Sequence, residues 1–335
     1  MSQPEPFDYL DLLEYLGEQQ DEAWSERRLP RRGFFKILAA GGALGAGAAV
    51  FGAGFMARAL TQGSSSAGSA GSAGSADTSQ LVAELLPNAG VSIDVSWGDV
   101  MPRLVESGVV DVDKFSAAAS RAGSPLADAQ QRILAGTSEE AVRIDASNGR
   151  FVLNALWALG LANRNPVLTS GPMTQLDEAR RGQLASTAGW TLGKEPGPQY
   201  LAQLDVVSLT AEQQGVLEDV AYNAYRPCCD NPTAFPDCNH GAAALALAEM
   251  AAAGGASAQD IFAALKGFNS FWYPDRYYTL AVYFDRQGTK WEDVDPRQVL
   301  GAQYSSISGW KQVAASLQSQ GLPGQAPGAS GGCGA

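Results

Sequence analysis

Three of the four cysteines in this 335-residue chain and its single histidine fall within thirteen residues. The stretch reads Arg226-Pro227-Cys228-Cys229-Asp230-Asn231-Pro232-Thr233-Ala234-Phe235-Pro236-Asp237-Cys238-Asn239-His240-Gly241. Thiolate and neutral imidazole are the side chains that soft and borderline metals prefer. The set predicts a metal or cluster site built from Cys228 or Cys229, Cys238 and His240. The fourth ligand is expected to be Cys333, in the glycine-rich tail Gly331-Gly332-Cys333-Gly334-Ala335, because glycine lets such a tail fold back. Adjacent cysteines project in different directions, so both Cys228 and Cys229 on one small ion is expected to be strained. A Cys₃His set suits zinc, copper(I) or an iron–sulfur cluster.

Two other chemistries compete. Four cysteines are an even number, and in an oxidising compartment they pair as disulfides. Cys228 or Cys229 with Cys238 would close a short loop, and Cys333 would staple the tail. The protein would then act by binding a partner in the envelope. In the third reading, a thiol redox enzyme, Cys238 is activated by a following helix N-terminus, with His240 as base and Asp237 as its orienter. Arg226 either stabilises thiolate charge, binds an anion or makes a surface salt bridge, the expected role. A single histidine excludes a Ser-His-Asp triad, the HExxH pair and blue copper.

The elements that must hold this loop read as helical. Val100-Met-Pro-Arg-Leu-Val-Glu106 and Val112 to Arg121 predict short helices split by Gly108. Ser138-Glu139-Glu140 suggests a helix start. Phe151 to Leu161 is almost wholly apolar and predicts a buried helix. Thr210-Ala-Glu-Gln213 reads as a capping box, with helical spacing after it. Pro227 should end that helix, and Pro232 and Pro236 should keep the cysteine loop extended. An alanine-rich helix follows Gly241. Ser257 opens another, ending near Trp272-Tyr273-Pro274. Tyr277 to Phe284 fits helix or strand, and Gln303 to Leu317 is the last helix. No alternation convincing enough for a sheet is found. The expected fold is all-α, a single globular helical domain over residues 78–320. Trp157, Trp190, Trp272, Tyr273, Tyr277 and Tyr278 either line a pocket or fill the core, and the core is the expected place. Asp145, Asp275, Asp285, Glu292, Asp293 and Asp295 follow no calcium-loop spacing and are expected to be solvated.

The net charge of -12 opposes binding to phosphate backbones, so nucleic acid is not an expected partner. Residues 1–30 form an acidic N-region. Arg31, Arg32, Phe34, Phe35 and Lys36 precede an uncharged run from Ile37 to Met56. This resembles a twin-arginine export signal, with Pro30 where the family usually carries Ser or Thr. The resemblance implies the twin-arginine translocase as a partner and folding before export. The uncharged run is long enough to span a bilayer. Residues 31–59 are therefore expected to stay as a membrane anchor, although Ala57-Arg58-Ala59 has the spacing of a cleavage site. Residues 60–77 are a Ser/Gly/Ala tether, and residues 321–335 the tail that carries Cys333. The main domain is expected outside the cytoplasm, in the periplasm or on the outer face.

The C-terminal half also resembles a group of uncharacterised exported bacterial and archaeal proteins. The matching stretches are Leu156 to Asn163, Gly189 to Gly193, Cys228-Cys-Asp-Asn-Pro232 through Asp237-Cys-Asn-His-Gly241, Phe271 to Pro274, and a Cys-Gly near the C-terminus. That group contributes sites and no reaction.

Overall fold

Two helices with almost no polar face form the centre of the molecule. The computed structural model describes residues 80–322; the signal-like segment, the tether and the Cys333 tail lie outside them. We label β1 (Val91–Gly98), α1 (Val100–Glu106), α2 (Val112–Arg121), α3 (Asp128–Ala135), β2 (Ser138–Ile144), α4 (Gly149–Ala162), α5 (Ala211–Asn223), α6 (Asn239–Ala253), α7 (Ala258–Trp272), α8 (Pro274–Arg286) and α9 (Ile307–Ser319). In α6 every residue from His240 to Ala252 is buried, and α4 buries nearly all of its length. A helix that is apolar all round belongs inside other layers, and these two pack against each other along their length. Alanine and glycine let the backbones approach: a methyl group on Gly160 would overlap the Ala242 carbonyl.

The remaining elements wrap this pair. Helices α5 and α7 cover α6, while α8 packs between α7 and α9. At the other end α1 packs on α3 and α4. One continuous apolar core extends from Val82 to Ala314. Local signals explain the helix starts. Thr210 and Gln213 form the expected capping box of α5, and Ser257 and Asp260 form one for α7. Gly108, at φ +80°, separates α1 from α2, as expected. The helix-or-strand ambiguity at Tyr277 to Phe284 resolves as helix α8, because Pro274 at its first position supplies a preset φ. No helix among the described residues is long and apolar enough to cross a membrane.

Helix accounts for 61% of the described residues and strand for 8%, so the all-α expectation needs one correction. Strands β1 and β2 pair antiparallel, with Val91 opposite Ile144 and Gly98 opposite Ser138. Ser138-Glu139-Glu140 therefore opens a strand and not a helix. The alternation was present: Ile93 and Trp97 are buried while Ser92 and Asp94 are exposed. It spans only eight residues and needs its partner, whose Val142 and Ile144 complete the inner face. The last helix is also shorter than expected, since Ser306 caps it by accepting from Gly309 N.

A carboxyl group inside α6 ties the core to pH. Glu249 has no exposure, and its Oε2 accepts from Asn163 Nδ2 at 3.0 Å. Asn163 Oδ1 in turn accepts from Val206 N and Val207 N, both at 2.9 Å. Burial pushes the Glu249 carboxyl up to about 8, against the Asn163 hydrogen bond, which lowers it. The folded state thus keeps a proton that the unfolded chain loses near pH 4.5. Stability from this group is complete below that value and declines as pH rises towards about 8, by about 1.4 kcal/mol per pH unit. Denaturant titrations should show Glu249→Gln flattening this decline and stabilising the protein at alkaline pH; an unchanged slope would remove Glu249 as its cause. Gly160→Val should cost about 2 kcal/mol or more through overpacking of α4 on α6, read as a lower denaturation midpoint.

Candidate metal centre

Helix α5 stops at Asn223, before Pro227 can act on it. Tyr225 instead leaves the helix to bond Leu300 O through its amide at 2.7 Å and to pair with Pro232. The loop that follows is not extended, despite its prolines. Thr233 N returns to Ala224 O and Ala234 N to Ala221 O, both at 2.8 Å, which folds the segment onto the end of α5. Cys229 O and the Asp230 side chain then receive Ile307 N (3.0 Å) and Ser308 N (2.9 Å) from the start of α9.

Arg226 sits at the centre of this fold-back. It is 1% exposed, so the expected surface salt bridge is corrected to a buried one. Its Nη1 donates to Asn231 O and Pro232 O, each at 3.1 Å. Its Nη2 donates to Phe235 O at 3.1 Å and to Asp237 Oδ1, and its Nε to Cys238 Sγ at 3.1 Å. All five donors of the guanidinium are used. Gly241 makes room for it: a Cβ there would lie 2.6 Å from the guanidinium carbon. Sequence reasoning valued Arg226 as an exposed charge because its acceptors are carbonyls, which carry no residue signature.

The three loop thiols meet beside this cation. Cys228 Sγ lies 3.4 Å from Cys238 Sγ and 3.9 Å from Cys229 Sγ. The three sulfurs are all within 4.8 Å of one another. Both adjacent cysteines thus join the cluster, because a turn over residues 227–230 brings their sulfurs to one side. Cys238 is the N-cap of α6 and accepts from Gly241 N at 3.4 Å. Cys228 accepts from the Tyr273 hydroxyl at 3.1 Å, and Cys229 donates to Asp237 Oδ1 at 3.5 Å. The cysteines are free thiols, and no disulfide is present among the described residues.

The electrostatics distinguish the sulfurs. The hydrogen bond from the Cys228 thiol and the nearness of Cys229, aided by the Arg226 charge, hold Cys238 well below the usual thiol range despite its burial. The contact with Cys229 lowers Cys228, but its hydrogen bond to Cys238 and its burial outweigh that and push it up to about 12. Cys229 is raised by its hydrogen bonds to Cys228 and Cys238 and by burial. One fixed cation thus supports one thiolate. A metal ion would supply the charge for the others.

His240 stands next to the cluster without a hydrogen bond to any thiol. Its Nδ1 meets Asn239 Oδ1 at 2.9 Å, and its ring lies on Tyr273 with centroids 4.5 Å apart. Burial lowers its pKa to about 4, so it is neutral. Asn239 Oδ1 also accepts from the His240 amide; it is therefore an oxygen acceptor, the proton sits on Nδ1, and Nε2 is left with its lone pair. Trp157, Trp190, Tyr273, Tyr277 and Tyr278 are buried as expected. Trp272 is only partly buried, and it and Tyr273 lie against the His240 ring, the site-lining alternative for these aromatics. Cys333 lies outside the described residues. Among the described residues the three thiols are the one group of three or more His, Cys, Asp or Glu side chains close enough to share an ion. The scattered aspartates do not converge on one.

Fold and site together define a mostly helical protein with a half-buried cysteine cluster at the N-terminus of its central helix. No family model, curated protein or solved structure matches the chain, so the chemistry of the site rests on its own geometry. Arg226→Met should strand Asp237 and three carbonyls and destabilise the protein by about 3–5 kcal/mol. In the same variant the cysteines should be alkylated faster than in the parent. A variant of unchanged stability would show that Arg226 does not organise the loop.

Proposed function

We propose that this protein binds a thiophilic metal ion or cluster through Cys228, Cys229 and Cys238, and serves metal handling or electron transfer in the cell envelope. The observation that carries this reading is the convergence of three free thiols from two parts of the loop. A tetrahedral ion with metal–sulfur bonds of about 2.3 Å sets its sulfurs about 3.8 Å apart. The separations of 3.4 and 3.9 Å bracket that spacing. Outer contacts from Arg226, Gly241 and Tyr273 to the sulfurs are those that hold metal thiolates in orientation. Zinc, copper(I) and an iron–sulfur centre all suit the donor set.

Cys333 is the proposed fourth ligand. Eleven residues after Leu322 span up to about 36 Å when extended. Helix α9, whose first turn is bonded to the cysteine loop, is about 20 Å long. The tail is thus long enough to return to the site. His240, with its free Nε2, is the other donor at hand. The twin-arginine-like residues Arg31, Arg32 and Phe34 and the uncharged run after them support export by the twin-arginine translocase. They also support a single-pass membrane anchor with the helical domain outside the cytoplasm.

Elemental mass spectrometry on the chain purified without a metal-affinity tag, with thiols counted in the same sample, tests the reading. We expect near-stoichiometric zinc, copper or iron, lost in Cys238→Ser. Tyr273→Phe should keep the ion but weaken its binding by about tenfold, as loss of an outer contact does. Metal-free protein that also fails to take up zinc, copper(I) or iron under reducing conditions would refute a metal site.

A further inference from the structure

We propose that the metal-free cluster is also a dithiol that exchanges with disulfides, with Cys238 as the attacking sulfur, Cys228 as the resolving sulfur and Cys229 as a bystander. The inference stands on the geometry of the sulfur pair and does not require the ion, so either reading can fail alone.

The three sulfurs are not equivalent. Cys238 and Cys228 lie 3.4 Å apart, tighter than the spacing of about 3.8 Å that an ion imposes. Closing it to a disulfide of about 2.05 Å takes a movement of about 1.4 Å. Cys229 is farther from Cys228, at 3.9 Å. A bond between these chain neighbours would close an eight-membered ring and strain the peptide within it. The Cys229 thiol also points its proton at Asp237 Oδ1, an acceptor that does nothing to favour a negative sulfur.

Cys238 has the opposite surroundings. Arg226 Nε and Gly241 N both donate to its sulfur, at 3.1 and 3.4 Å. It caps the fifteen-residue helix α6, whose N-terminal field favours negative charge. Tyr273 donates to Cys228 Sγ from the other side and so acts as a positioning residue for the resolving thiol. The cysteines are half-buried.

The exchange balances without any other reactant. Cys238 thiolate attacks one sulfur of R–S–S–R, the S–S bond breaks, and the first RS⁻ leaves and takes up a proton. The Cys228 thiol then gives up its proton and attacks Cys238 Sγ, which expels the second RS⁻. Two cysteines are oxidised to an internal disulfide, and one disulfide is reduced to two thiols. Oxidation in this sense also removes two of the three metal ligands.

The test uses glutathione disulfide on the full chain, stripped of metal, carrying Cys229→Ser and Cys333→Ser. We expect two glutathiones released per chain and a Cys228–Cys238 disulfide on peptide mapping. Adding Cys228→Ser should halve the release and leave glutathione trapped on Cys238. Cys238→Ser should abolish the release. Glutathione retained on Cys228, or no release at all, would overturn the proposal. Should Cys229→Ser impair folding, mapping of the oxidised parent chain decides: a Cys228–Cys238 link supports the assignment, and a link through Cys229 or Cys333 refutes it. Metal content measured on the same Cys229→Ser protein separates the two readings. We expect it to lose the ion and keep the exchange.

Discussion

A buried guanidinium organises the cysteine-bearing end of this molecule. Burying a charge is costly unless every polar contact is replaced, and Arg226 replaces them with loop carbonyls, Asp237 and the Cys238 sulfur. Each of those acceptors lies within twelve residues of it in the chain. The loop is therefore wrapped around its own cation, and the cysteines are carried into place by the same wrapping. Removing the charge would leave no local reason for residues 231–238 to turn inward.

The rest of the fold supplies the platform. Helix α6 presents its N-terminus to the loop because its first turn is locked against α4, where Gly160 lies against the Ala242 carbonyl. Tyr273, at the junction of α7 and α8, reaches Cys228, and the first turn of α9 holds Cys229 and Asp230. The start of α6, the α7–α8 junction and the start of α9 thus meet at one sulfur cluster. A site anchored on the ends of rigid elements is held more closely than one on a free loop.

The proposed metal binding by three sulfurs and the proposed disulfide exchange by two of them share one electrostatic cause. A single fixed cation stabilises one thiolate, at Cys238, and leaves the other thiols protonated until an ion or an electrophilic sulfur arrives. An ion shared by all three would hold Cys228 away from Cys238, so occupancy and oxidation exclude each other. Under the proposals above, that competition would make metal content respond to the surrounding thiol–disulfide poise.

The site was located in the sequence by residue type alone: three cysteines and the single histidine within thirteen residues. The two buried central helices and the capped starts at Thr210 and Ser257 were legible for similar reasons. Apolar runs and capping boxes act over three or four residues, and neighbours in sequence are then neighbours in space. The two-stranded sheet was not, because β1 is a strand only when β2, some forty residues later, pairs with it. Arg226 read as a surface charge, and Cys228 and Cys229 as an awkward pair, because carbonyl acceptors and turn geometry leave no trace in residue identity. Which sulfurs approach, which one carries the charge, and that His240 stacks on Tyr273 beside them were decided by tertiary structure. Burial and long-range hydrogen bonds set those properties, and both depend on the whole chain having folded.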